Sequence, residues 1–177
     1  MFIYTNLTLD KLCLSAYNSV SNGIYTRNIM DVIFDVDGTL MDISQRRKFI
    51  DGSMGKKDWN AFRDSENVMQ DTPKFEIFAL AKAMKAVGHR IIISSGRNKS
   101  QRAQTLKQLM MQGLVFDAVY MRSDSDYRPD FVVKADMLTK MKKDGFDPIM
   151  AVDDRQQVVD MWRANGLTVL QVDEGNF

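Results

Sequence analysis

One cysteine, Cys13, in 177 residues leaves no partner for an intrachain disulfide and no cysteine-based zinc site; such usage fits a reducing compartment, and a cytoplasmic chain is expected. No apolar run reaches the roughly 18 residues a membrane span needs, and no basic segment heads an apolar stretch, so neither a span nor a signal peptide is expected. Charge of one sign is missing too, with 24 Lys plus Arg against 23 Asp plus Glu. That balance excludes a global electrostatic footprint for nucleic acid, so any polynucleotide contact must be local. Histidine occurs once, as His89, beyond a helix C-terminus where the dipole favours a cation, and is read as structural. Gly52-Ser53-Met54-Gly55-Lys56-Lys57 looks like a phosphate loop but has too few residues between its glycines and no Ser or Thr after the lysines, so no kinase site is supported.

What is present is concentrated in Val32-Ile33-Phe34-Asp35-Val36-Asp37-Gly38-Thr39-Leu40. An apolar run ending in Asp-x-Asp-Gly-Thr reads as a buried strand that delivers carboxylates to a tight turn. Strand side chains alternate with period two, so Asp35 and Asp37 face one pocket. There they would repel unless a cation sat between them, and a hard divalent ion such as Mg²⁺ suits oxygen ligands. Gly38 permits the turn and exposes backbone N–H groups to an anion.

Later apolar strands deliver further chemistry at their carboxyl ends, where an open α/β sheet places its ligands. Arg90 to Ser94 runs into Ser95-Gly96-Arg97, which offers a hydroxyl, a turn and a guanidinium to phosphate oxygens. Asp130 and Lys134 stand one helical turn apart. Ile149 to Val152 leads into Asp153-Asp154-Arg155, a second carboxylate pair able to complete a metal shell.

In this order the motifs resemble the haloacid dehalogenase superfamily of phosphohydrolases. Arg46, Ser95-Gly96-Arg97, Asp130 to Lys134, and the tail from Asp153 through Arg163 with Gln171-Val172 and Gly175-Asn176-Phe177 are most similar to the phosphatase domain of bacteriophage polynucleotide kinase-phosphatase. The likeness covers roughly Asp31 to the C-terminus, and it implies that only the phosphatase half is here, in the host cytoplasm if the chain is phage-encoded. It implies Asp35 as the nucleophile that forms an aspartyl-phosphate, and Asp37 as acid, then base. Mg²⁺ would be held by Asp35, the Asp37 main-chain carbonyl and the pair Asp153 and Asp154, with the direct ligand of that pair left open. Ser95, Arg97 and Lys134 would hold phosphate oxygens, Thr39 and Gly96 would join the phosphate contacts, Asp130 would orient Lys134, and Arg46 would reach the phosphate or substrate. The expected substrate is a phosphomonoester, with a nucleic-acid 3′-phosphate foremost and a 5′(3′)-nucleotide or small metabolite as the alternative. A response-regulator receiver is disfavoured because its acid pair comes first in the chain, and an inactive binding module remains the non-enzyme reading.

The length and a 45% apolar composition fit one compact domain. A doubly wound parallel sheet is expected over 31–177, preceded by an extension over 1–30 of uncertain order in which Leu7 to Val20 suits a short amphipathic helix. Residues 41–71 are too long for an ordinary connection and suggest a small cap, with Trp59 and Phe62 either stacking a nucleotide or burying one face of a helix. Thr72-Pro73 reads as the start of a helix ending at Gly88. Further helices are expected over 98–113, 129–144 and 155–165, with strands over 115–121, 149–152 and 167–172. Met84, Met110, Met111, Met137 and Met161 are read as core filler. Arg122, Tyr127 and Arg128 form either a polyanion track or a solvated turn.

Overall fold

A computed structural model of the chain describes residues 28–175. The expected helix at Leu7 to Val20, Cys13, and the motif residues Asn176 and Phe177 lie outside the described residues. Strand β1 (Asp31–Phe34) is buried along its whole length. Its Val-Ile-Phe run is apolar toward both faces, as suits a strand covered on both sides. Parallel neighbours flank it: β4 (Arg90–Asn98) on one side and β6 (Pro148–Asp153) on the other. β5 (Ala118–Arg122) and β7 (Thr168–Gln171) complete a five-stranded sheet of order β5-β4-β1-β6-β7. This is the expected Rossmann-like arrangement.

The period-two alternation of the strands divides the core into two layers. Val32, Phe34, Ile91 and Ile93 face helices α4 (Phe75–Ala86) and α5 (Arg102–Met111) through Phe78, Ala81 and Leu109. Ile33, Ile92 and Ala151 face α6 (Asp130–Lys143) and α7 (Gln156–Ala164) through Val133, Met137, Val158 and Trp162. Each fully buried aliphatic or aromatic side chain contributes about 1.5–3 kcal/mol. Register places Phe34 beside Ile93 and Val152, and the Asp35 N–H donates to the Val152 carbonyl at 3.0 Å. Asp35, Ser95 and Asp153 therefore leave the sheet at the same edge.

Between β1 and α4 the chain forms β2 (Met41–Asp42), α1 (Ser44–Arg47), α2 (Trp59–Arg63), α3 (Ser65–Met69) and β3 (Thr72–Pro73). Asp58 caps α2 by accepting from the Asn60 and Ala61 N–H groups, and Asp64 caps α3 from Glu66 and Asn67. Thr72-Pro73 is not a helix start. It pairs antiparallel with Met41-Asp42, an edge position that a residue without an N–H tolerates, and α4 begins only at Phe75.

Other expectations are corrected by burial. Met110 and Met111 are exposed at the end of α5, because both fall on the outer side of the helix. His89 is structural, its Nδ1 accepting the Met30 N–H at 3.2 Å. Among the described residues, no helix is long and apolar enough to cross a membrane.

Candidate active site

The carboxyl edge of the sheet carries two charge clusters that open into one cavity of about 540 Å³. The first is built on β1 and β6. Lys134, buried on α6, donates from Nζ to Asp35 Oδ1 at 2.7 Å and to Asp153 Oδ2 at 2.9 Å. Burial would lower its pKa, but Asp153, Asp35 and Asp130 overcome that and hold the ammonium charged. Asp130 is 3.7 Å away and takes its short bond from Arg122 instead, at 2.8 Å, so Lys134 is oriented mainly by Asp35 and Asp153. Gly96 matters for the same neighbour, since a Cβ there would fall 2.5 Å from Asp130 Oδ1.

Asp153 and Asp154 differ in what they have left to offer. Both Asp153 oxygens are engaged, Oδ2 by Lys134 and by Trp162 Nε1 at 3.1 Å, and Oδ1 by the Arg155 N–H at 3.2 Å. Among the described residues, the Asp154 carboxylate accepts a long bond from the Thr39 hydroxyl at 3.4 Å, while its buried Oδ2 has no hydrogen-bond donor and lies 3.8 Å from Arg47 Nη2. A Cβ at residue 38 would sit 2.2 Å from that oxygen, so glycine there keeps its surroundings open. Burial, then the Asp153 charge, pushes the Asp154 carboxyl up to about 6, and burial pushes Asp35 well above the usual carboxylate range despite Lys134. Ligand oxygens of Asp35, Asp153 and Asp154 lie within 4.8 Å of one another. A buried acid cluster with an orphaned oxygen fits a divalent cation, whose charge would relieve that repulsion.

The second cluster surrounds Asp37. Arg97 donates to it from Nε and Nη2 at 2.9 and 2.6 Å, and Arg46 donates from Nη2 at 2.6 Å. Burial alone would raise this carboxyl, but the two guanidiniums bring it down to about 2. Both arginines are fixed from behind by Asp71, which accepts from Arg46 Nε and Nη2 at 2.7 and 2.8 Å and from Arg97 Nη2 at 2.8 Å. Burial pushes the Asp71 carboxyl up to about 6. Arg97 also reaches Thr105 and Gln108, while Arg46 reaches the Phe62 carbonyl and lies 4.4 Å over its ring.

Sequence reasoning had named Asp35, Asp37, Arg46, Gly96, Arg97, Asp130, Lys134 and Asp154, and all of them line the cavity. Thr39 and Ser95 are fully buried instead. Thr39 holds Asp154, and the Ser95 hydroxyl accepts the Arg97 N–H at 3.2 Å. Arg122 is no open track residue, being spent on carbonyls of Gly96, Asp126 and Arg128 as well as on Asp130. Asp71, Thr105, Gln108 and the indole of Trp162 were missed. Asp71 meets Arg46 and Arg97 from 25 and 26 residues away, and Thr105, Gln108 and Trp162 reach their partners only because helices α5 and α7 pack against the strand ends, which one sequence does not display.

The sheet order and the acid cluster at its carboxyl edge define a haloacid dehalogenase-type hydrolase. Solved structures with this fold include a "predicted phosphatase" from Clostridium acetobutylicum, 16% identical over 81% of this chain and 84% of its own, with a TM-score of 0.59. A haloacid dehalogenase-like protein of Streptococcus pneumoniae is 15% identical over 81% and 84%, with a TM-score of 0.58. More specifically, the chain belongs to the polynucleotide kinase PNKP phosphatase-domain family, whose model matches residues 30–177. A chain in the structure of the Pnkp1/Rnl/Hen1 RNA repair complex is 28% identical over 88% of this chain and 46% of its own, with a TM-score of 0.69. The present chain thus spans about half the length of that relative.

Proposed function

We propose that the chain is a Mg²⁺-dependent polynucleotide 3′-phosphatase working through an aspartyl-phosphate on Asp35. The observation that carries this reading is Asp35 in the cavity, gripped by Lys134, beside an Asp154 oxygen without a donor and an Asp37 clamped by two guanidiniums. An Asp35 oxygen attacks phosphorus, the bond from phosphorus to the 3′ oxygen breaks, and the leaving oxygen takes a proton from Asp37. Asp37 then removes a proton from the water that hydrolyses the acyl phosphate, which frees Asp35 and releases phosphate.

Asp37 held by Arg46 and Arg97 has no proton to give near neutrality. A phosphoryl dianion offers the same guanidiniums more charge and matching bidentate geometry, so they pass from Asp37 to the phosphate oxygens. Asp37, freed from its guanidiniums beside an anionic phosphoryl group, takes up a proton from solvent, and that is the proton it passes to the leaving oxygen. Lys134 stays between Asp35 and Asp153 and offsets the charge of the nucleophile. Mg²⁺, held by Asp35, Asp154 and the Asp37 carbonyl, would neutralise charge developing on the phosphoryl oxygens. Asp153 serves to orient Lys134, because its own oxygens are already occupied.

The test is Mg²⁺-dependent phosphate release from a 3′-phosphorylated oligonucleotide, beside nucleoside 3′- and 5′-monophosphates, a sugar phosphate and an Asp35→Asn control. Strong preference for the oligonucleotide supports end processing. Preference for mononucleotides or the sugar phosphate would replace the substrate while keeping the chemistry, and no metal-dependent release from any of them would leave a phosphate-binding module.

A further inference from the structure

Trp59 opens α2, a five-residue helix of which no residue is buried. Its indole meets Phe62 edge-on at 5.8 Å and the Arg63 guanidinium lies 5.3 Å from its centroid, yet 39% of the residue remains exposed. A side chain of this size normally completes a core or meets a ligand. Here the opening is toward the cavity that holds Asp35 and Asp37, where Ile50, Trp59 and Phe62 form an apolar wall. Tyr127, 81% exposed, lines the same space from the loop before α6.

We propose that Trp59 is a base-recognition residue, stacking the unpaired terminal nucleobase of the strand whose 3′-phosphate reaches Asp35; the proposal rests on the phosphatase reading above. The combination of charge-gripping residues and an apolar wall in one cavity calls for an occupant with a phosphate at one end and a flat ring at the other. Arg63 forms no ion pair among the described residues, so beside Trp59 it supplies a guanidinium that a base or an upstream phosphodiester would meet. The cavity, at about 540 Å³, has room for a nucleotide, and a base stacked on Trp59 inside it has left its pairing partner.

The test compares kcat/KM for two single-stranded oligonucleotides with 3′-phosphate ends, one ending in thymidine and the other in an abasic tetrahydrofuran residue. For the wild type, stacking is expected to favour the thymidine end by about fivefold or more. The W59A variant should bring that ratio close to one, and W59F should restore most of it. A purely structural Trp59 would lower both rates together and leave the ratio standing, and that result overturns the proposal, as does a wild type with no preference. Release from neither end would instead bring down the phosphatase reading and this inference with it. Binding gives a second readout that does not need the Trp59 variants to fold. Trp162 is buried, so titrating Asp35→Asn protein with the thymidine-ended strand should quench the emission of Trp59, and the abasic strand should quench it far less. Equal quenching by both strands contradicts base stacking.

Discussion

The two ends of the parallel sheet handle buried carboxylates in opposite ways. At the amino ends of the strands, Asp31 is buried but fully satisfied, accepting from Arg90 Nε and Nη2 at 2.5 and 2.6 Å and from the Asp147 N–H at 2.6 Å. Asp117 is closed likewise by Lys85 and the Ile91 N–H. The cations there, Arg90 and Lys85, are partly in water. At the carboxyl ends, Arg46, Arg97 and Lys134 are buried with carboxylates of Asp71 and Asp35, and among the described residues Asp154 keeps an oxygen without a donor. One end is closed on itself. The other carries buried charge that its own partners leave incompletely closed, and on the proposed function that remainder is what receives a cation and a phosphate.

The comparison can be broken by matched substitutions. Asp35→Asn should lower kcat/KM at the carboxyl end by at least about 10³-fold, since it removes the proposed nucleophile. Asp31→Asn at the other end should leave kcat/KM within about twofold and instead cost about 1–3 kcal/mol of stability in urea denaturation. A folded Asp35→Asn protein that still turned over would end the contrast. Asp71→Asn comes next. It touches no substrate in this account, yet it leaves two buried guanidiniums with one carboxylate, so stability should fall by about 3 kcal/mol. Activity should fall as well, with kcat affected because the arginines lose their placement, and Asp71→Glu should restore more of it than Asp71→Asn.

Gly38→Ala sharpens the comparison further. The residue has φ +88° and its added Cβ would meet Asp154, so a loss of about 1–3 kcal/mol is expected together with a higher Mg²⁺ concentration for half-maximal activity. The smallest effect belongs to Lys85→Ala at the amino end. That pair is partly in water, so the variant should lose less than about 1 kcal/mol and keep its activity.

The fold was legible because its signals are local. The Val32 to Phe34 run, the Arg90 to Ser94 run and the strand before Asp153 each announce a buried strand, and their alternation with helical patterns implies the parallel sheet. Thr72-Pro73 misled for the same reason. Its cap-like chemistry is a local preference, and the pairing with Met41-Asp42 is a tertiary contact that overrode it. Within the site, Asp35, Asp37, Lys134 and Asp154 could be read as cavity residues because each stands in a motif at the end of a strand or one turn into a helix. Asp71 could not, since nothing around it distinguishes a surface acid from the counter-charge of Arg46 and Arg97, which are 25 and 26 residues away. The division of labour between Asp153 and Asp154 was also hidden, because it depends on Trp162 and Lys134 reaching one of the two.

The most direct measurement is mass spectrometry of protein quenched in acid during turnover of a 3′-phosphorylated oligonucleotide with Mg²⁺. A phosphoryl adduct on the peptide containing Asp35, missing from the Asp35→Asn variant, is the expected result; turnover with an adduct on another residue, or with none on a time course that resolves the first cycle, would contradict it.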